Sequence, residues 1–446
     1  MKSINNRTIA AIATPKGAGA IAVVRISGEA RDAILGKTFK TAKASLIKPR
    51  RPVLGSVIDK DGTILDNVIL TTFDAPNSYT GENTAEFSCH GSPYITGRIL
   101  ETLLSAGAET ALPGEFTQKA FLNGKLDLVQ AEAVSALIAS DTEKARHAAL
   151  QQLSGGLSAK YNEIRQKLIE LLATAETQID FSEEELPPLN KTAFKKSIDI
   201  ILTETAKLTK SYKGGRIISE GFRIALIGPP NAGKSSIFNA LCNSERVIVD
   251  EHPGTTRDLI EETISIDGYR ITIIDTAGIR ETDNRIESIG IDRAKAAASE
   301  SDLILNIIDA TQTSTSAAYY SFISNCTTPS INVCNKCDIA DSPATVLPIS
   351  AHTGKGFDAL KKAIVAAIPE ADSDGEHAIM TSARQNEALR KTETALKELS
   401  DKIEQCGEEV IAQYLREALA GIGEITGHTT DDDILNHIFS NFCIGK

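Results

Sequence analysis

The rhythm of hydrophobic and polar positions changes three times along the chain. From Thr8 to about Arg98, short apolar runs (TIAAIAT, AIAVVRISG, VLGSVI, NVILTTF, TAEFSCHG) alternate with Gly, Pro and Asn turns and some helix, which predicts an α+β domain. Beyond Pro113 the period lengthens. Tyr161, Ile164, Leu168, Leu172, Ala175 and Ile179 recur at three- and four-residue steps, the stripe of an amphipathic helix, and a second helix is expected over Phe194 to Leu208 after the acidic turn SEEELPPLN. After Gly221, strands and helices alternate through FRIALIG, YRITIIDTAG, DLILNIIDA, SINVCNK and VLPISA, which predicts a parallel sheet covered by helices. Past Pro369 a polar break (EADSDGEH) precedes a return to helix, marked by Leu389, Leu396, Leu399 and Ile403 and then Val410, Tyr414, Leu415 and Leu419. The expected architecture is multidomain: an N-terminal α+β domain over 1–120, a helical domain over 121–220 and 370–446, and an α/β domain over 221–369 inserted into it. Helical stripes on either side of the insertion are most economically buried against each other.

Composition narrows the class. With 41% hydrophobic and 24% charged residues among 446, the chain is neither disordered, collagenous nor a disulfide scaffold. No apolar run approaches the roughly 18 residues of a membrane span, and MKSINNRTIA lacks a signal-peptide core, so a soluble cytoplasmic protein without a membrane partner is expected. Cys89, Cys242, Cys326, Cys334, Cys337, Cys406 and Cys443 form an odd, scattered set that reads as free thiols. The net charge of −12 opposes wholesale binding along a duplex, yet residues 1–120 carry +3 and the remainder −15, so an anionic ligand suits the N-terminal part. Its densest basic stretch, Lys37, Lys40, Lys43, Lys48, Arg50 and Arg51, reads as a solvated loop.

Candidate chemistry concentrates in the α/β segment. GPPNAGKSS (Gly228 to Ser236) matches G-x-x-x-x-G-K-[ST] between an expected strand and helix. In that setting backbone N–H groups from Asn231 through Ala232, Gly233 and Lys234 to Ser235 wrap a β-phosphate, Lys234 neutralises the β- and γ-oxygens, and Ser235 holds Mg²⁺. Asp275-Thr276-Ala277-Gly278 ends an apolar strand and supplies a carboxylate beside the metal and a glycine N–H near the γ-phosphate. Asn335-Lys336-Cys337-Asp338 ends another: the Asp338 carboxylate accepts from both donors on the guanine edge, which adenine lacks, so GTP is preferred to ATP. Thr255-Thr256 and Ser350-Ala351 complete the order of a small GTPase. The C-x-x-C of Cys334 and Cys337 has no second pair and is explained by the guanine loop, and Cys443 near the C-terminus fits a prenylation motif poorly. Ile279 stands where Ras-like proteins place a water-orienting glutamine, so another group must do that work.

With GPPNAGKSS, GTTRD (Gly254 to Asp258), DTAGIRETDNRIESIGI and the terminal FCIGK on one chain, the sequence resembles the bacterial and organellar tRNA-modification GTPase family MnmE, also called TrmE. The similarity extends through ATPKGAGAIAVVRISG, NSYTGENTAEFSCHG and PGEFTQKAFLNGKLDLVQAEAV. It implies a homodimer, joined through the N-terminal domain, that works with the FAD- and NADH-using partner MnmG (GidA) to place an aminomethyl or carboxymethylaminomethyl group on C5 of the wobble uridine of certain tRNAs. It implies an N-terminal domain similar to folate-binding aminomethyltransferase domains, holding 5-formyl- or methylene-tetrahydrofolate through Arg25, Glu86, Lys125 and Lys446, with Cys443 of CIGK serving modification. For the GTPase it implies K⁺ at Asn231, Asp250, His252 and Thr255, Mg²⁺ on Ser235 and Thr256, and Glu287 as organiser of the attacking water. Nucleotide contacts are expected from Asn231, Ala232, Gly233, Lys234, Ser235, Ser236, Asp250, Thr255, Thr256, Asp275, Thr276, Ala277, Gly278, Asn335, Lys336, Asp338, Ser350 and Ala351. The alternative, an RNA-binding or ribosome-assembly GTPase switch, lacks a KH-type GXXG loop or an interleaved basic and aromatic surface after Pro369.

Overall fold

Period-two alternation in Ile21–Ser27 buries Ala22, Val24 and Ile26 on one side and turns Val23 and Arg25 to the other. In Thr84–His90 the same alternation buries Ala85, Phe87 and Cys89 and leaves Glu86 opposite them. The two strands are antiparallel neighbours with Arg25 directly across from Glu86, so the pleat that builds the core also pairs these charges. In the computed structural model, which describes residues 7–43, 46–180, 187–245, 260–275, 295–312, 326–369, 379–429 and 432–445, the strands are β1 (Ile9–Ile12), β2 (Ile21–Ser27), β3 (Phe39–Lys40), β4 (Val53–Ile58), β5 (Ile64–Phe73), β6 (Thr84–His90) and β7 (Glu109–Thr110). They form one seven-stranded sheet in the order β3-β4-β5-β6-β2-β1-β7. Ile99 and Leu103 of helix Pro93–Ser105 and Ile34 and Leu35 of helix Arg31–Thr38 close over Val24, Ile26, Val68, Leu70 and Phe87.

This sheet belongs to a compact unit formed by Met1–Ser135, Leu153–Glu185 and Glu408–Lys446. Within it, helix Gly156–Asp180 lies along helix Glu408–Thr426. Tyr161, Ile164, Leu168 and Ala175 of the expected stripe are buried there, while Leu172 and Ile179 are half-buried. The C-terminal helix Asp432–Ser440 and Phe442 pack Leu435, Phe439 and Phe442 on Leu128 and Ala131. Gly114 permits this docking, because a Cβ there would lie 2.5 Å from the Phe439 carbonyl oxygen.

The second unit comprises Ala136–Gln152 and Leu186–Gly407. Strands β8 (Phe222–Ile227), β9 (Ile260–Ile266), β10 (Tyr269–Asp275), β11 (Leu303–Asp309), β12 (Ser330–Asn335) and β13 (Leu347–Pro348) form a six-stranded sheet in the order β13-β12-β11-β8-β10-β9, parallel except for β9 at one edge. Ile224, Leu226, Ile273, Leu305 and Val333 face one apolar layer and Ala225, Ile227, Ile274 and Ile304 the other. Burial on both faces is why β8 and β11 read as continuous apolar runs. The helix expected over Phe194 to Leu208 runs instead over Lys191–Glu220, capped by the Asn190 side chain, which accepts from the Ala193 N–H at 3.0 Å. Gly215, inside the added length, serves packing: a Cβ there would strike the Met380 carbonyl. This helix pairs with helix Ala383–Lys402, whose Leu389, Leu396 and Leu399 are fully buried. The chain is therefore multidomain, with an α+β domain, a helical part and an inserted α/β domain.

Candidate functional site

The C-terminal ends of parallel strands are where open α/β sheets bind ligands, and the polar residues of the second unit gather there. β8 ends at Ile227, and helix Lys234–Glu245 begins after a six-residue loop. Asn231 (φ 63°) and Gly233 (φ 90°) are left-handed, a conformation that turns successive N–H groups to one side as an anion-binding concavity. A Cβ on Gly233 would collide with the Asn335 side-chain amide, so glycine is required by both dihedral and space. Lys234 Nζ arches back over the loop and donates to the Gly228 and Pro229 carbonyl oxygens at 2.8 and 3.0 Å. The Ser235 hydroxyl donates to Asp275 Oδ2 at 3.2 Å. Two residues forty positions apart, Ser235 in the first turn of the helix after β8 and Asp275 at the end of the adjacent strand β10, thus form one hard-oxygen pair, a donor set suited to Mg²⁺.

Asn335 ties three loops together. Its amide N–H donates to the Ala232 carbonyl at 3.0 Å, and its Oδ1 accepts from the Ala351 N–H at 3.1 Å, in a buried position. The Cys337 N–H donates to the Ile349 carbonyl at 3.1 Å, which sets Asp338 beside Ser350. The Ser350 side-chain hydrogen bond, aided by a backbone donor and nearby His352, holds the exposed Asp338 carboxyl below its ordinary range. Asp338 is therefore ionised at neutral pH and accepts only, as recognition of paired donors requires. Sequence reasoning missed Asp309, at the end of β11, whose buried Oδ2 takes the Lys336 ammonium at 2.6 Å. Burial alone would raise the Asp309 carboxyl, but the bonds from Lys336 and Thr311 outweigh it and hold it low. The available signal was an acid closing an apolar strand, the same position that Asp275 occupies. Ser236 is exposed in the first turn of the helix. Asp250, His252, Thr255, Thr256, Thr276, Ala277, Gly278, Ile279, Glu287 and Lys446 lie outside the described residues.

A second cluster sits in the first unit. Arg25 donates from Nε to Glu86 Oε1 at 2.9 Å and from Nη1 to the Gly445 carbonyl at 3.2 Å. Its guanidinium lies 5.6 Å from the Tyr79 ring centre and 5.5 Å from that of Phe116. Tyr79 and Thr117 hydroxyls are 2.8 Å apart, and burial pushes the Tyr79 phenol upward despite that bond and the Arg25 charge. The fully buried Lys119 pairs with Glu82 at 2.7 Å and donates to the Arg7 carbonyl at 2.8 Å. Helix Glu115–Leu122 thus covers the Arg25 guanidinium with Phe116, while its Thr117 and Lys119 hold Tyr79 and the loop that carries it; none of these was singled out from sequence, although all lie in the quoted segments. Lys125 is placed differently: exposed, it donates to the Pro76 carbonyl at 3.0 Å. Lys125, but neither Arg25 nor Glu86, is among the described residues lining a cavity of about 780 Å³ with Phe121, Asp127, Gln130, Thr426 and His428. Cys443 is exposed, and its carbonyl accepts from the Gly114 N–H at 3.4 Å.

A phosphate loop on a strand-to-helix turn, a serine–aspartate pair and an aspartate-bearing loop at the end of β12 define a P-loop GTPase. Two family models together span nearly the whole chain: "GTP-binding protein TrmE N-terminus" over residues 8–125 and "MnmE helical domain" over 128–443. The chain is 42% identical over 447 residues to "tRNA modification GTPase MnmE" of Aquifex aeolicus (98% of this chain, 99% of the relative), and 39% identical over 441 residues to that of Thermus thermophilus (98% and 99%). The G domain of the T. maritima FeoB iron transporter is 26% identical over 33% of this chain and 98% of its own, with a TM-score of 0.27 too low to bear on the assignment. The chain belongs to the MnmE family of tRNA modification GTPases. Among the described residues no helix is long and apolar enough to cross a membrane.

Proposed function

We propose that GTP hydrolysis by this chain drives modification of C5 of the wobble uridine in tRNA, in a cytoplasmic homodimer acting with MnmG. Membership in the family carries the tRNA assignment, and the Ser235–Asp275 pair carries the hydrolytic one. In hydrolysis, water attacks the γ-phosphorus, the bond from that phosphorus to the β–γ bridging oxygen breaks, and GDP and phosphate leave. Lys234 neutralises charge on the β- and γ-oxygens, and Ser235 and Thr256 would hold Mg²⁺, which would supply further charge neutralisation there. Asn231, exposed at the lip of the loop, offers a side-chain carbonyl to K⁺ together with Asp250, His252 and Thr255. Glu287 orients the water in place of the glutamine that Ile279 cannot provide. In the N-terminal domain, Arg25 and Glu86 present a cation and an acceptor pair on one sheet face, suited to the carboxylates and to the pterin donors of a formyl- or methylene-tetrahydrofolate, with Lys125 and Lys446 as further cations and Cys443 serving the modification step. A bound folate would supply the one-carbon unit.

GTP turnover should be fast in KCl and slower by an order of magnitude or more in NaCl, because a cation that stands in for an arginine finger supplies a large part of the stabilisation. Equal rates in the two salts contradict the K⁺ role, whereas a Glu287→Ala protein with wild-type turnover contradicts only the water assignment. Nucleotide choice rests on Asp338. Losing two charge-assisted bonds in Asp338→Asn should cost GTP about 10²-fold or more in kcat/KM while improving use of xanthosine triphosphate. Unchanged GTP constants would remove the guanine assignment.

A further inference from the structure

The basic stretch of the N-terminal domain acquires a shape in the fold. Between Asp32 and Asp59 there are six Lys or Arg residues and no Asp or Glu, in a chain whose net charge is −12. Lys37, Lys40, Lys43, Lys48, Arg50 and Arg51 are all exposed, and among the described residues none forms an ion pair. They follow one rim of the sheet. Lys37 closes helix Arg31–Thr38, and Lys40 lies in the edge strand β3 opposite Ser56 of β4. The other four occupy the β3–β4 connection, which starts beside Leu54, where the Thr41 hydroxyl donates to the Leu54 carbonyl at 3.1 Å.

The rim is anchored. Arg50, in the left-handed region at φ 60°, donates its N–H to the Thr72 carbonyl at 2.7 Å, and its guanidinium donates to the Asn77 carbonyl at 3.1 Å. Asn77 is on the loop that carries Tyr79, one of the two rings against Arg25. Lysines on an edge strand also deter strand addition, but a two-residue edge needs one such charge, not six. The stretch exposes no aromatic ring, since its Phe39 is buried, so base stacking adds nothing and phosphate contact is the interaction available.

We propose that this rim is a phosphate-backbone docking surface for tRNA, set beside the Arg25 cluster so that the RNA is held where it is modified. The proposal rests on the tRNA reading above. It is tested on the full-length protein by binding an unmodified tRNA transcript across a KCl series. Neutralising three phosphate contacts in Lys40→Gln/Lys43→Gln/Lys48→Gln should weaken binding and reduce the slope of log affinity against log salt by roughly two units, with GTP turnover unchanged. The matched variant Lys195→Gln/Lys196→Gln/Lys207→Gln, altered on helix Lys191–Glu220, should keep the wild-type slope. Equal slopes for wild type and the rim variant overturn the surface, as does an equal loss in the matched variant, which would reduce the effect to net charge. Loss of binding to phosphatidylserine vesicles with tRNA binding intact would assign the rim to a membrane instead. Failure of the wild-type protein to bind tRNA at all would overturn the tRNA reading, and this surface with it.

Discussion

Lys234→Ala should lower GTP turnover by about 10²–10³-fold or more, the scale on which removal of one preorganised electrostatic donor acts. Its ammonium reaches over the concavity formed by left-handed Asn231 and Gly233, and the carbonyls it now bonds, those of Gly228 and Pro229, belong to the same loop. On GTP binding that charge exchanges loop carbonyls for phosphate oxygens carrying full negative charge, a far stronger partner. The sheet beneath is independent of the exchange: Ile224, Leu226 and Ile273 stay buried whichever partner the lysine takes. Thermal unfolding of the variant should therefore match wild type within a few degrees. Turnover within a fewfold of wild type would contradict the assignment of this loop as the phosphate site.

Gly445→Val should abolish tRNA modification while leaving GTP turnover within about twofold of wild type. Gly445 has φ 95°, and a Cβ there would stand 2.6 Å from the Ile12 carbonyl oxygen and 2.8 Å from the Ala13 Cα. A β-branched residue in that conformation costs on the order of 1–3 kcal/mol before the clash is counted. The terminal turn would leave β1, and Arg25 would lose the Gly445 carbonyl that steadies it against Glu86. Deleting Cys443 to Lys446 should act alike. The phosphate loop belongs to the other unit, so hydrolysis should persist. Full modification by Gly445→Val would return the C-terminal turn to a packing role.

Much of this was legible before the fold, for reasons of range. The phosphate loop and the guanine loop are local: each motif is a run of no more than nine consecutive residues at a strand end, so spacing alone carries their geometry. The helical stripe through Tyr161, Ile164 and Leu168 was legible because 3.6-residue periodicity is also a local property. The parts not read need neighbours distant in sequence. Asp309 becomes a partner of Lys336 only when β11 and β12 lie side by side. The Arg25 enclosure requires residues at 79, 86, 116 and 445 to meet, and no spacing rule spans 420 positions. Helix Lys191–Glu220 continues past Leu208 through Gly215, whose lack of a side chain admits the Met380 backbone, a neighbour 165 positions away that no local signal announces.

A GTPase site in this chain is linked to chemistry on tRNA, and one measurement addresses that link directly. Wobble nucleosides of tRNA from a strain deleted for this chain would be quantified by mass spectrometry after complementation with wild type, Lys234→Ala or Gly445→Val. The C5-modified uridine should be restored by wild type alone, with both variants leaving the position unmodified. Full modification in the deletion strain, or its restoration by Lys234→Ala, would contradict the claim that GTP hydrolysis in this chain drives the modification.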